Sequence, residues 1–362
     1  MRDRAIELLK ELSEAHGVPG HEDAIRRIWK RELSEFSPGS DRFGNVFAET
    51  RGKDDSPRVV VTGHMDEVGF IVQMITPDGF LRFRPVGGWA PQTLPAQRVR
   101  VLTRGGGLVE GVIASTPPHL MKKEARVRVP EIDEMYIDIG ASSAQEATGD
   151  FGIRLGDPIA PGTAFTRLSN EDRVLCKAFD NRVGMALTIQ SLRDLRGTDH
   201  PNLLVGVGTA QEEMGMRGAR VAGETARPDV ALILEGPPAD DSPGGQPSDQ
   251  QGRLGGGVQI RVFDPSAIMN KALVEFVVGV AESCSIPHQV AVRRSGGTDA
   301  AGFQYAGKGC PVVVLGVPAR YIHTHNAMID MRDYVSALHL VQALVERLDA
   351  SAVSGFTDFL SS

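Results

Sequence analysis

The sequence predicts an α/β fold: a mixed-sheet α/β sandwich, helices on both faces of a largely buried sheet, interrupted by a β-rich inserted domain. Three observations carry that prediction. Apolar, strand-like runs alternate with helical stripes before about residue 69 and again after residue 163. The runs are continuous rather than alternating, which is the pattern of strands covered on both faces. Between them, over about 70–162, Gly- and Pro-rich sequence carries short β-like runs and almost no helical periodicity.

Taken in order, Ile6, Leu9 and Leu12 recur at helical spacing, and Gly17 can stop that helix. Ala24, Ile25, Ile28, Trp29, Leu33 and Phe36 mark a second apolar stripe. Strands are expected at about 45–49 and 58–63. In the insert, Pro77-Asp78-Gly79 and Arg104-Gly105-Gly106-Gly107 signal turns, and 99–102, 108–113 and 135–139 read as strands. A short helix is expected near 142–148. Strand–helix alternation then resumes with a strand at 174–177, a helix at 182–195, and strands at 202–209, 229–234 and 257–263. A long helix at 267–284, strands at 288–292 and 311–315, and a final helix at 332–348 complete the chain. Residues 240–257 form a loop rich in Pro, Gly, Asp and Gln. The expected division is one discontinuous domain, 1–69 with 163–362, and an insert, 70–162.

Composition narrows the function. The 362 residues are 41% hydrophobic and 23% charged, as in a soluble globular protein. A net charge of −7, with no basic stripe, argues against nucleic acid and against an anionic membrane surface. No apolar run approaches the roughly 18 residues of a membrane span, and the N-terminus has no signal core. Cys176, Cys284 and Cys310 are odd in number and far apart, so a disulfide framework is not expected and a cytoplasmic location is.

Five segments share one pattern, an apolar strand running abruptly into Asp, Glu or His: Val59 to His64-Met65-Asp66, Cys176 to Asp180, Asn202 to Glu212-Glu213, Ala231 to Glu235, and, more loosely, Arg320 to His323 and His325. Sites in open α/β sheets gather beyond the carboxyl ends of strands, so these residues are expected to converge. Histidines and carboxylates without a cysteine cluster suit a hydrolytic divalent site of zinc, cobalt or manganese type. Taken singly, each has a plainer reading. His64 suits a hydrogen-bonded core histidine, Asp180 a helix N-cap, Glu235 a salt-bridged strand end, and His323 and His325 a surface loop. Glu212-Glu213 resists such a reading. Adjacent extended residues point to opposite sides, so the pair divides naturally into a ligand and a general base.

The motifs Gly63-His64-Met65-Asp66-Glu67-Val68-Gly69, Phe179-Asp180-Asn181-Arg182, Gln211-Glu212-Glu213-Met214-Gly215, Gly296-Gly297-Thr298-Asp299 and Arg320-Tyr321-Ile322-His323 resemble those of the tetrahedral (TET) aminopeptidases. These metallopeptidases are also called glutamyl aminopeptidases or endoglucanases. The resemblance covers almost the whole chain and implies a zinc-exopeptidase-like domain with a PDZ-like barrel insert for dimerisation. It implies two divalent cations, zinc or cobalt with manganese as a further choice. Asp180 would bridge them, His64 and Glu235 completing one site, Glu213 and His323 the other. Glu212 would be the general base toward a water between the cations, and Asp66 would orient His64. Glu235 stands where many members carry Asp. Gly297 and Thr298 would lie against substrate, although the same residues read equally as an ordinary turn. The implied activity is removal of N-terminal residues from short peptides, inside a homododecamer built from dimers.

Three rivals stand beside it. A glycosidase needs carboxylates about 5–9.5 Å apart around a sugar, which adjacent Glu212 and Glu213 serve poorly. A dinuclear deacylase or carboxypeptidase shares the metal chemistry but tolerates a blocked amine. A non-catalytic scaffold would have shed a ligand or the base, and none is missing here.

Overall fold

The computed structural model describes residues 2–114, 116–123, 128–244 and 250–360. Its central sheet has the order Gly39–Ser40, Val46–Arg51, Leu203–Thr209, Arg58–His64, Val230–Glu235, Val312–Gly316, Val258–Asp264, Ala267–Ile268, with His288–Val292 also pairing to Val258–Asp264. The four strands from Leu203–Thr209 to Val312–Gly316 are mutually parallel. Val46–Arg51 and Val258–Asp264 flank them antiparallel, so the sheet is mixed. Every residue of Leu203–Thr209, Val230–Glu235 and Val312–Gly316 is buried, as continuous apolar runs require.

The helix Phe179–Leu195 lies on this sheet at close range. A Cβ on Gly63 would fall 2.5 Å from the Gly184 backbone, so glycine at 63 sets how near the helix approaches. Arg2–Glu14, Met331–Val345 and Lys271–Ser283 pack around the same core.

Gly69–Ile75, Leu81–Val86, Tyr136–Asp138, Leu108–Ala114, Arg98–Leu102 and Pro158–Pro161 close a six-stranded barrel. Phe70, Phe83, Val99, Ile113, Ile137 and Ile159 fill it as a second core, separate from that of the sheet. The fold is thus α/β with a distinct inserted barrel. A third sheet, Thr166–Arg167, Arg173–Cys176, Ala327–Asp330 and Ala319–Arg320, carries the segments that lead into Asp180 and His323. Among the described residues no helix is long and apolar enough to cross a membrane.

Several elements differ from expectation. The helix expected at 267–284 begins only at Lys271, because Asn270 caps it by accepting the Leu273 amide. Ala267–Ile268 instead adds a short strand. The second helix ends at Glu32, and Phe36 lies in a following 3₁₀ turn, Ser34–Phe36. Arg217–Ala226 was unexpected as a helix: its buried face is Gly218, Ala219, Ala222, Gly223 and Ala226, too small to read as a stripe. Of the loop at 240–257, residues 245–249 lie outside the described residues.

Candidate metal centre

His64 closes the strand Arg58–His64 and pairs in register with Thr209 at the end of the neighbouring parallel strand. On its other side Ile233 pairs with Thr62, so Glu235, two residues on, reaches the level of His64. Parallel strands end at one edge of the sheet, and that edge collects the acidic residues. Gln211, at φ +58, turns the chain so that Glu212 and Glu213 follow the strand into the cluster.

His64 Nε2 lies 3.2 Å from Asp180 Oδ1 and 3.8 Å from both Glu235 Oε2 and Glu212 Oε2. Asp180 Oδ2 lies 3.4 Å from His323 Nε2, which is also 3.4 Å from Glu213 Oε1. Asp180 therefore presents one oxygen to each histidine. Potential ligand atoms of His64, Asp180 and Glu235 all lie within 4.8 Å of one another. So do those of Asp180, Glu213 and His323, and those of His64, Glu212 and Glu213.

The helix-cap reading of Asp180 fails. Asn181 Oδ1 accepts the Gly184 amide at 2.9 Å, so the cap is Asn181 and the Asp180 carboxylate is left to the cluster. Asp66 acts on more than His64. Its main-chain oxygen lies 3.1 Å from His64 Nδ1, with carboxylate Oδ1 at 3.5 Å. The carboxylate accepts the amides of Glu212 on Oδ1 and Glu213 on Oδ2, both at 3.0 Å. His323 Nδ1 lies 2.9 Å from the Gly88 carbonyl oxygen. A carbonyl can only accept, so in both histidines Nδ1 holds the proton. Nε2 is then the nitrogen that each ring turns toward the carboxylates.

Charge balance tests whether cations fit. Among the described residues, the ion pairs of Asp180, Glu212, Glu213 and Glu235 are with histidine alone. Burial pushes Glu213 up to about 7, and carries Glu212 and Glu235 well above the ordinary range despite the pull of His64. Burial would raise Asp180 too, but hydrogen bonds from His323 and His64 hold it below the usual carboxylate range. Glu213 Oε1 is buried with no hydrogen-bond partner among the described residues. Carboxylates gathered with two imidazole Nε2 atoms, one carboxylate oxygen orphaned, are a donor set for hard or borderline divalent cations.

Some residues stay outside the cluster. His325 is buried with neither ring nitrogen hydrogen-bonded among the described residues, its ring against Trp89 at 5.3 Å. Thr298 is buried, its amide donating to Ser266 Oγ and its hydroxyl to Asp264 Oδ2, so its polar groups serve the fold. Gly297 is exposed beside Met216 and Ser266. Asp299, hydrogen-bonded to Thr209 and pushed by burial to about 6, lies behind the strand ends.

Sequence reasoning missed the supports. The amides of Ala210 and Gln211 are accepted by Asn45 Oδ1 at 2.9 Å and Glu22 Oε1 at 3.2 Å. With Asp66, four successive amides, 210–213, are each held by a side-chain oxygen. Glu22 stands just before an apolar stripe, and nothing in the local pattern marked it for this task.

The family profile described as M42 glutamyl aminopeptidase matches residues 44–340, and one described as AMPT matches residues 3–29. A glutamyl aminopeptidase of Lactococcus lactis is 34% identical over 97% of this chain and 98% of that protein. A lysyl aminopeptidase of Pyrococcus furiosus is 36% identical over 94% and 97%. The crystal structure of a TET aminopeptidase from a marine sediment Thaumarchaeota archaeon superposes with a TM-score of 0.94 at 40% identity, covering 98% of this chain and 99% of that one. The Pyrococcus horikoshii TET1 peptidase, which can assemble into a tetrahedron or a large octahedral shell, gives 0.84 at 31%, covering 95% and 100%. With the profile spanning most of the chain and relatives matching along nearly their whole length, this chain belongs to the M42 glutamyl aminopeptidase family.

Proposed function

We propose that the chain is a dinuclear metal-dependent aminopeptidase that removes N-terminal residues from short peptides. The observation that carries this reading is the split of Asp180, one carboxylate oxygen toward His64 and the other toward His323. Asp180, His64 and Glu235 would hold one cation, and Asp180, Glu213 and His323 the other, as zinc, cobalt or manganese. Such a pair supplies Lewis acidity to the scissile carbonyl and to the attacking water.

Glu212 takes the water's proton and returns it to the leaving amine. Burial raises its proton affinity above that of an ordinary carboxylate, the direction a group that carries a proton between water and leaving amine needs. Asp66 holds the Glu212 and Glu213 amides together, which fixes base and ligand relative to each other. A free α-amine would find a carboxylate-rich wall there, and the exposed backbone at Gly297, beside Met216 and Ser266, would lie along the rest of the peptide.

Residues 70–162 would pair copies into dimers, and dimers into a homododecamer, as the assembling TET relatives favour. Cys176 and Cys310, free thiols with burial as the largest upward push on each, suit a cytoplasmic setting.

The test strips the protein of metal, restores cobalt, zinc or manganese, and offers aminoacyl-chromogenic substrates beside N-acetylated ones. The panel also reads first-residue preference, where one relative is named for glutamyl and another for lysyl residues. Cleavage of blocked substrates at the rate of free ones would replace the aminopeptidase reading with a deacylase. Glu212→Gln is expected to keep its metal and lose about 10²–10⁴-fold in kcat.

A further inference from the structure

His323 is the least supported member of the centre. It sits on a loop after Ala319–Arg320, with φ +55 at His323 and +62 at Tyr321, both in the left-handed region. Its side chain is 35% exposed, whereas His64, at a strand end, is 2% exposed. What holds the ring comes from the barrel. The segment after Leu81–Val86 crosses to the centre as Gly87-Gly88-Trp89, and the Gly88 carbonyl takes the Nδ1 proton at 2.9 Å. The approach is tight: a Cβ on Gly88 would lie 3.2 Å from His323 Nδ1, and one on Gly87 would lie 2.6 Å from Val68 and 3.4 Å from Glu213 Cβ.

Trp89 fastens this segment at both ends. Its ring stacks on Phe70 of the barrel at 4.8 Å, its Nε1 donates to Gly69 O at 3.0 Å, and its far side meets His325 at 5.3 Å. Among the described residues His325 has no hydrogen bond through its ring, so the contact with Trp89 is a packing contact two residues from His323. The barrel thus touches the loop twice, through a carbonyl and through a ring.

We infer that Gly88 and Trp89 are positioning residues for His323: the Gly88 carbonyl selects the nitrogen that faces Asp180 and Glu213, and Trp89 sets where that carbonyl stands. This rests on the proposed pair of cation sites. Its consequence is asymmetric. The site with His323 depends on the seat of the barrel, and the site with His64 and Glu235, anchored by strand ends and Asp66, does not.

The experiment is cobalt titration of the metal-free, full-length protein, followed by visible absorption and calorimetry, in the wild type, Gly88→Ala, Trp89→Ala, Trp89→Phe and His323→Ala. The wild type should take two ions. Gly88→Ala and Trp89→Ala should keep one at wild-type affinity and weaken the other about 10–100-fold, the scale of losing an outer-shell partner. The weakened site should be the one His323→Ala loses. Trp89→Phe, which keeps the ring stack, should restore it, and thermal melting checks that each variant is folded. Wild-type affinity at both sites in Gly88→Ala and Trp89→Ala overturns the inference, as does equal weakening of both. A wild type that takes up no ion at all is a different failure, read before any variant, and it ends both the dinuclear centre and this inference.

Discussion

The Asp66 carboxylate accepts the Glu212 amide at 3.0 Å through one oxygen, while its other oxygen takes the amide of the next residue. A carboxylate can do this because it is acceptor on both sides, and an asparagine cannot. Asp66→Asn turns an NH₂ toward one of the two amides. Leaving one buried donor unpaired costs about 1–3 kcal/mol, so kcat should fall about ten- to a hundredfold. Steady-state rates on an aminoacyl substrate check this, with metal content measured alongside.

Removing the cations should loosen the protein as well as silence it. Glu235 is buried and Asp180 and Glu213 are half-buried beside the same two histidines, and without counter-charge they must take up protons or repel. An ion at a hundred times its Kd contributes about 2.7 kcal/mol. EDTA should therefore lower the melting temperature, and cobalt or zinc should restore it. An unchanged melting curve in chelator would count against the centre.

Beneath the site, Lys177 Nζ meets both oxygens of Glu67, at 2.6 and 2.7 Å, and Arg182 Nη2 meets Oε1 at 3.3 Å. All three side chains are buried. Glu67→Gln leaves two cations without their anion and should cost about 3–5 kcal/mol in urea unfolding. Lys177→Met removes one cation, keeps the Glu67–Arg182 pair and should be the milder change.

His16 gives a pH signature apart from the metal ligands. Burial lowers its proton affinity, from the ordinary 6.5 to about 4. Above pH 6.5 the ring is neutral folded or unfolded, and its full contribution is present. As pH falls through 6.5 toward 4, only the unfolded chain takes the proton, so stability is lost, by about 3 kcal/mol in all. His16→Phe should flatten this stretch of the stability–pH curve.

The convergence of His64, Glu212, Glu213 and Glu235 was legible in the sequence because buried parallel strands read as unbroken apolar runs, so a charge at their ends stands out. His64, Glu212-Glu213 and Glu235 announce themselves in this way. The supports do not. Asn45, Glu22 and Gly88 each reach the site through one hydrogen bond, across 165 to 235 positions of chain, and no local pattern encodes that. The helix start at Lys271 was misread for a related reason: Ala267 and Ile268 fit a helical stripe, and only Asn270 decides between helix and strand.

The opening helix is tied by its tail end to the residues beneath the His64–Asp180 cluster. Arg182 donates to the Leu12 and Gly17 carbonyls, Lys177 to that of Ala15, and Glu67 and Gly17 exchange main-chain and side-chain bonds. Five residues beyond Gly17 stands Glu22. Trimming or nicking this stretch would thus be felt as lost turnover, although it removes no group that touches ion or peptide.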